Sequence, residues 1–269
     1  MVAYACWFAA IATVLLLAWL TIRYSLLVPA VRGLPVLMYH HVHPSRKDAL
    51  TVTSEQFEEQ LKFLAAEGYQ PITCRDVIDH LDRGTPLPAR PVLLTFDDGY
   101  VDNLEYAYPL LVRYGFKATI FLPVGLLGRT NHWDEGRERL LSAGQLSGLD
   151  PAVVELGLHS YRHEDYQRLS AAEIGSDARQ CLAELSAKDL NCAPALAYPY
   201  GKYPRERKAK AAMQAELAAA GVACAMRIGN RVNRLPLRNR YELRRINVKG
   251  TDSRWEFRTK VRKGRVKLF

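Results

Sequence analysis

With 269 residues, 49% of them apolar and 24% charged, the chain can bury the core of one α/β domain, which excludes an intrinsically disordered protein. The formal net charge of +9 points to an acidic partner: phosphate, anionic lipid or nucleic acid. The cysteines Cys6, Cys74, Cys181, Cys192 and Cys224 form no C-x-x-C pair, so neither a zinc knuckle nor a redox motif is expected.

No charged side chain occurs from Met1 to Ile22. As a helix this run spans about 30 Å, the thickness of a bilayer core. Trp7, Trp19 and Tyr24 suit the two membrane interfaces. A cleaved signal peptide is the rival reading, but its basic n-region is missing and the apolar run is long. Residues 1–30 are therefore expected to be a retained single-pass anchor in the cytoplasmic membrane. Arg23, Arg32, Arg46 and Lys47 all follow the helix, and no Lys or Arg precedes it. The positive-inside rule then puts the following domain in the cytoplasm, with the periplasmic or extracellular face as the alternative.

Leu34 to Tyr39 reads as a buried strand leading into His40-His41-Val42-His43. Thr53 opens a helix, with Gln56 completing a capping box; Phe57, Leu61, Leu64 and Ala65 form its apolar stripe and Gly68 ends it. Further strand-like runs are Pro91–Phe96, Ala118–Leu122, Val153–Leu158, Ala195–Tyr198 and Val222–Met226. Helical stretches at Asn103–Tyr114, Ala171–Lys188 and Arg205–Ala220 lie between several of them. This alternation predicts a parallel α/β sheet, open or closed, over 31–250. Residues 251–269 read as a basic C-terminal tail, in which Lys and Arg interleave with Trp255, Phe257, Val261, Val266, Leu268 and Phe269. Together with the seven arginines between Arg227 and Arg245, this region is either a solvated basic face or a contact for anionic lipid headgroups.

Two short stretches carry chemistry. Thr95-Phe96-Asp97-Asp98-Gly99 puts adjacent carboxylates just past an apolar strand. His159-Ser160-Tyr161-Arg162-His163 spaces two imidazoles four residues apart, also past a strand. Sites in barrels and open sheets gather at that end of the strands. Asp98 alone could cap a turn, and the histidines could be surface residues. Taken together, one carboxylate and two histidines can hold a divalent ion with positions left open, and a second carboxylate beside them can act as a base.

These stretches, with Tyr198-Pro199-Tyr200-Gly201, resemble the polysaccharide deacetylases, the NodB-homology family, over roughly Leu34 to Val248. The resemblance implies a distorted (β/α) barrel that removes acetyl groups from sugars with one divalent metal ion, commonly Zn2+, with Ni2+, Co2+ or Fe2+ as alternatives. It implies Asp97 as general base, Asp98, His159 and His163 as metal ligands, and the Tyr200 backbone N–H as an oxyanion donor. Tyr198, Pro199 and Trp133 are candidate substrate contacts; Trp133, in His132-Trp133-Asp134, reads equally as a packing residue. The chain departs from the family pattern twice. No histidine follows His163, where a general acid usually stands, but Leu37–Val42 resembles the permuted poly-N-acetylglucosamine deacetylase branch, which implies His40 as the acid, with His41 as the other choice. Ala197 stands where many members carry the arginine that orients the base, and Arg244 or Arg245 is the candidate substitute. The expected substrate is an N-acetylhexosamine in a lipid-linked sugar or a membrane-associated glycan, with no nucleic acid partner. An inactive glycan-binding relative is the alternative.

Overall fold

The computed structural model describes residues 2–23, 29–134 and 136–266. Tyr24, Leu268 and Phe269, to which the sequence gives interface or tail roles, lie outside the described residues. So do the side chains of 1–6, 8–10 and 22.

Seven strands form the core: β1 (Val36–Tyr39), β2 (Pro91–Phe96), β3 (Ala118–Leu122), β4 (Val154–Leu158), β5 (Cys192–Ala197), β6 (Cys224–Ile228) and β7 (Leu243–Asn247). Each pairs in parallel with its neighbour in chain order, and β7 pairs with β1 to close the ring. Where β1 meets β2, Val36 lies opposite Leu93 and Tyr39 opposite Phe96. The result is the closed parallel barrel of the expected type. Strands covered on both faces need no polar alternation, and β1 to β4 are buried at every residue.

Local sequence sets the outer helices. Thr53 caps α2 (Ser54–Ala66) in the expected box with Gln56, and Ser170 caps α6 (Ala171–Ala187) with Glu173. The helix expected over Asn103–Tyr114 is instead a wide turn at Asn103–Ala107 followed by a short helix, α4 (Tyr108–Tyr114), and a brief helix, α5 (Ala143–Ser147), precedes β4. Pro109 explains the break: it has no N–H to return to the carbonyl of residue 105. Between β5 and β6 runs α7 (Arg207–Ala219).

One helix that the sequence reading did not foresee is α3 (Cys74–Arg83). It stops the N-terminal end of the barrel, where Ile72, Cys74 and Val77 pack with Val36, Ala193, Cys224 and Leu243, the last four at strand starts. Buried Glu155 on β4 accepts from the Cys74 N–H at 2.7 Å and fixes that plug.

The 251–269 segment also differs from expectation. Arg254–Lys263 is a helix, α8, capped by Ser253 and Glu256. Phe257 and Val261 are buried, and Phe257 meets Phe63 of α2 edge-on at 6.0 Å. Arg262 pairs with Glu67 at 3.0 Å, Arg254 with Glu59, and Lys260 with Asp252. Residues 254–263 therefore pack on α2, because one apolar residue per turn suffices to seat a helix on an apolar neighbour. Phe257→Ala is expected to lower stability by about 3–5 kcal/mol, seen as a lower urea midpoint at unchanged slope.

The first helix, α1 (Val2–Arg23), has 22 residues. Trp7, Ile11, Leu15, Leu16, Leu17 and Trp19 on it are exposed. Among the described residues no helix is long and apolar enough to cross a membrane. The anchor over 1–30 therefore rests on the sequence.

Candidate active site

Strand ends deliver the site residues. Asp97 and Asp98 follow β2, His159 follows β4, Tyr200 lies three residues past β5, and His40 follows β1. Asp98 and Gly99 both have left-handed backbones, at φ 70° and 66°. A Cβ at Gly99 would come within 2.6 Å of Leu122 Cδ2, so only glycine fits there. The two histidines sit on an irregular turn, with Ser160 at φ 61° and His163 at φ 59°. Non-glycine residues in this region are strained, and strain held in a cleft marks functional sites. Asp177 of α6 fixes the turn: its carboxylate accepts from the Tyr161 N–H at 2.9 Å and from the Tyr166 hydroxyl. Nothing in the sequence singled out Asp177, since a lone acid inside a helical stretch reads as surface.

Asp98, His159 and His163 converge as the sequence predicts, each buried, with their ligand atoms within 4.8 Å of one another. His163 Nε2 lies 3.2 Å and His159 Nε2 3.5 Å from Asp98 Oδ1. That oxygen is nonetheless a buried acceptor without a properly formed hydrogen bond. Two ring nitrogens and a carboxylate converging on one point make a donor set able to hold a divalent cation with open positions. His159 Nδ1 lies 2.8 Å from the Ala197 carbonyl, which holds the proton on Nδ1 and leaves Nε2 as a lone-pair donor. Burial pushes His159 down to about 4. Asp98 is held well below the usual carboxylate range: burial works against this, and the adjoining His163, then His159 and His40, outweigh it. A neutral His159 and an ionised Asp98 are in the protonation states that bind metal.

Asp97 has a different environment. The guanidinium of Arg245 grips its carboxylate with both prongs, Nη2 to Oδ2 at 2.8 Å and Nη1 to Oδ1. His40 Nε2 and His159 Nε2 lie 4.0 and 3.9 Å from Asp97 Oδ2. Burial raises its pKa, but Arg245, then His159 and His40, outweigh that, and the carboxyl is held below its ordinary value. Arg245 is fully buried on β7 and lies over the Phe121 ring at 5.5 Å. Strand alternation separates the two candidate substitutes for the arginine missing at Ala197: Arg245 faces the barrel interior and Arg244 faces out. Ala193, Ala195 and Ala197 share the buried cluster with Phe121 and leave room for the long side chain.

The other candidates separate as follows. His40 faces Asp97, whereas His41 turns away, with Nδ1 2.7 Å from Asp102 and its ring stacked on Tyr100 at 3.7 Å. Tyr200 is at φ 57° in the Pro199–Gly201 turn, its ring 45% exposed and 4.5 Å from that of His163. Trp133 stacks on His163 at 4.1 Å. Tyr198 does not line the cleft: it is fully buried, its hydroxyl donates to the Tyr241 carbonyl, and its ring stacks on Tyr203. Pro199 is buried as well. Both support the turn from beneath because a side chain at the strand's end points into the core.

These features place a buried, guanidinium-clamped carboxylate beside an Asp/His/His cluster able to hold a metal ion, at the mouth of a parallel barrel. The family model described as polysaccharide deacetylase matches residues 84–220, and the chain belongs to that family. A Bacillus subtilis protein named for the same family, YxkH, is 31% identical over 173 residues, which are 64% of this chain and 58% of that protein. The poly-beta-1,6-N-acetyl-D-glucosamine N-deacetylase of Escherichia coli K12 is 32% identical over 95 residues, 35% of this chain and 14% of that one. The chain thus spans less than two thirds of either relative. The solved structure of IcaB from Ammonifex degensii has the same fold, with a TM-score of 0.68 at 22% identity, covering 86% of this chain and 97% of that one.

Proposed function

We propose that the protein is a metal-dependent hydrolase that removes the N-acetyl group from an N-acetylhexosamine in a membrane-associated glycan or lipid-linked sugar. The observation that carries this reading is Asp97, clamped by Arg245 and set between His40 and the Asp98, His159 and His163 cluster. A divalent ion held by those three residues, with Zn2+ the first choice, would supply the positive charge that polarises the acetyl carbonyl and acidifies water. Asp97, kept ionised, takes the proton of the attacking water. The Tyr200 N–H donates to the developing oxyanion, where a fixed dipole is worth most. His40, protonated, gives its proton to the leaving amine, releasing acetate. Trp133 and Tyr200, on either side of His163, form an aromatic rim for a sugar ring.

The inactive-relative reading rested on two missing groups. Arg245 now stands in for the arginine absent at Ala197, and His40 offers an acid from the other end of the chain. Residues 1–30 anchor the protein in the cytoplasmic membrane in this reading, with the catalytic domain on the cytoplasmic side by the charge rule. A reporter fused after Phe269 tests the side.

The enzymatic reading is tested by acetate release from soluble and lipid-linked N-acetylhexosamines. Release should stop on chelation and return with zinc. If metal binds but no substrate yields acetate, the proposal fails.

A further inference from the structure

The end of the barrel opposite the catalytic groups carries a basic cleft. The chain from Gly229 to Glu242 leaves β6, runs down the outside and turns beneath the barrel before entering β7. Asn233–Arg234 pairs antiparallel with Gly33–Leu34, which immediately precedes β1. Asn233 Nδ2 donates to the carbonyls of Leu34 and Arg244, at 3.2 and 2.8 Å. Arg240 pairs at 2.8 Å with Asp82 of α3, the helix that plugs this end. The loop is therefore fixed in place.

It frames a cleft of about 780 Å³ lined by Arg231, Arg234, Arg238, Arg244, Lys263 and Arg265. Among the described residues the one carboxylate in the lining is Glu242, and it is already committed to Tyr203, Lys210 and Asn239. Arg231, Arg234, Arg238 and Arg244 thus share a cavity whose described acid is engaged elsewhere. The crowding is felt at Arg231, whose pKa burial lowers first and Arg265 and Arg244 lower further. At the tip of the loop, Leu235 is 41% exposed between Arg234 and Arg238. An apolar tip flanked by arginines suits an interface that is apolar inside and anionic at its rim.

The position of the N-terminal chain selects the occupant. Val31 lines the same cleft, and its N–H donates to the Arg262 carbonyl at 2.8 Å. Only eight residue steps separate Val31 from Arg23 at the end of α1, a reach of at most about 29 Å. The C-terminal end of the apolar helix therefore lies within that reach of the arginine cleft.

We propose that this cleft binds the phosphates of anionic lipid headgroups, with Leu235 entering the acyl boundary. The barrel then stands on the bilayer by its N-terminal end, and its catalytic mouth opens away from the membrane. The inference does not depend on the deacetylase chemistry. It narrows the substrate within that reading, since a mouth facing away from the surface is reached by an extended glycan and not by a sugar seated on its lipid.

The test is amide hydrogen exchange of the full chain in nanodiscs. Exchange over 233–239 is expected to slow in phosphatidylglycerol discs relative to phosphatidylcholine discs, and exchange over 163–169, at the catalytic mouth, to stay unchanged. The double substitution Arg234→Gln/Arg238→Gln, at two exposed positions, should cut the protection by about tenfold or more. Four results overturn the proposal. Equal protection in neutral discs would mean apolar contact alone. Equal protection by inorganic phosphate in neutral discs would mean a soluble anion. Protection confined to 163–169 would reverse the orientation. No lipid response in either region would leave the cleft without a membrane role.

Discussion

Arg245→Met is expected to reduce acetate release by about a hundredfold or more, to move the acidic limb of the pH–rate profile to higher pH, and to destabilise the fold. All three effects have one origin. Asp97 is buried, and burial alone raises its pKa; Arg245 is the first of the groups that reverse this. With the guanidinium removed the burial penalty is less opposed, so the base protonates at a higher pH. Loss of one partner of a buried ion pair costs about 3–5 kcal/mol, because the other charge is left stranded. The sign of the wild-type linkage follows. A carboxyl whose folded pKa is lowered contributes its full stabilisation above its unfolded value, about 4, and loses it as pH falls through the lowered value. The mutant should therefore lose less stability than wild type on acidification across that window. Arg245→Lys keeps a charge but not the two-pronged grip, and should recover the acidic limb only in part. Arg244→Met, one residue away and facing out, should leave kcat and the pH profile unchanged. Rate profiles and urea midpoints of the three variants check these expectations.

The sequence made the barrel legible where packing was uniform. Pro91–Phe96 and Ala118–Leu122 are unbroken apolar runs, and strands buried on both faces have to be. It hid β7, Leu243-Arg244-Arg245-Ile246-Asn247, because two adjacent arginines read as a basic surface. Only the pleat reveals that one points out and the other in, and register cannot be read from composition. Helix α8 was obscured in the same way: charges fill its sequence, and its anchors are the sparse pair Phe257 and Val261, four residues apart. The candidate metal ligands were legible because three residues of two types, an Asp and two His at a fixed spacing, follow two strands. Asp177 and the stacking of Trp133 on His163 were not, since each depends on segments that only the closed fold brings together.

The two ends of the barrel divide the labour of the molecule. Strand C-termini gather carboxylates and imidazoles in a buried, strained mouth. Strand N-termini are stopped by α3 and bordered by the arginine cleft. Arginines therefore crowd the end remote from the chemistry, while Arg245 is spent on Asp97 and Arg168 and Lys202 line the cleft beside His163 and Tyr200. Salt should accordingly weaken membrane contact while leaving hydrolysis of a small soluble substrate nearly unaffected.

The adjacent carboxylates should separate cleanly in function. Asp97→Asn is expected to retain the metal ion and lose activity by about a thousandfold, because an amide cannot take the proton from water. Asp98→Asn is expected to lose the metal ion itself. Its carboxylate oxygen is the point on which both Nε2 atoms converge, 3.2 and 3.5 Å away, and an amide oxygen without charge binds a divalent cation far more weakly. Neighbours in sequence thus have different fates because the left-handed turn at Asp98 and Gly99 points one carboxylate at a guanidinium and the other at two imidazoles. Zinc content after dialysis and kcat/KM, measured on both variants at saturating and limiting zinc, distinguish the two roles. Excess zinc should restore part of the Asp98→Asn activity and none of the Asp97→Asn activity. If zinc rescued both variants alike, both carboxylates would be ligands, and the base would have to be sought elsewhere, with His40 the next group in reach at 4.0 Å from Asp97.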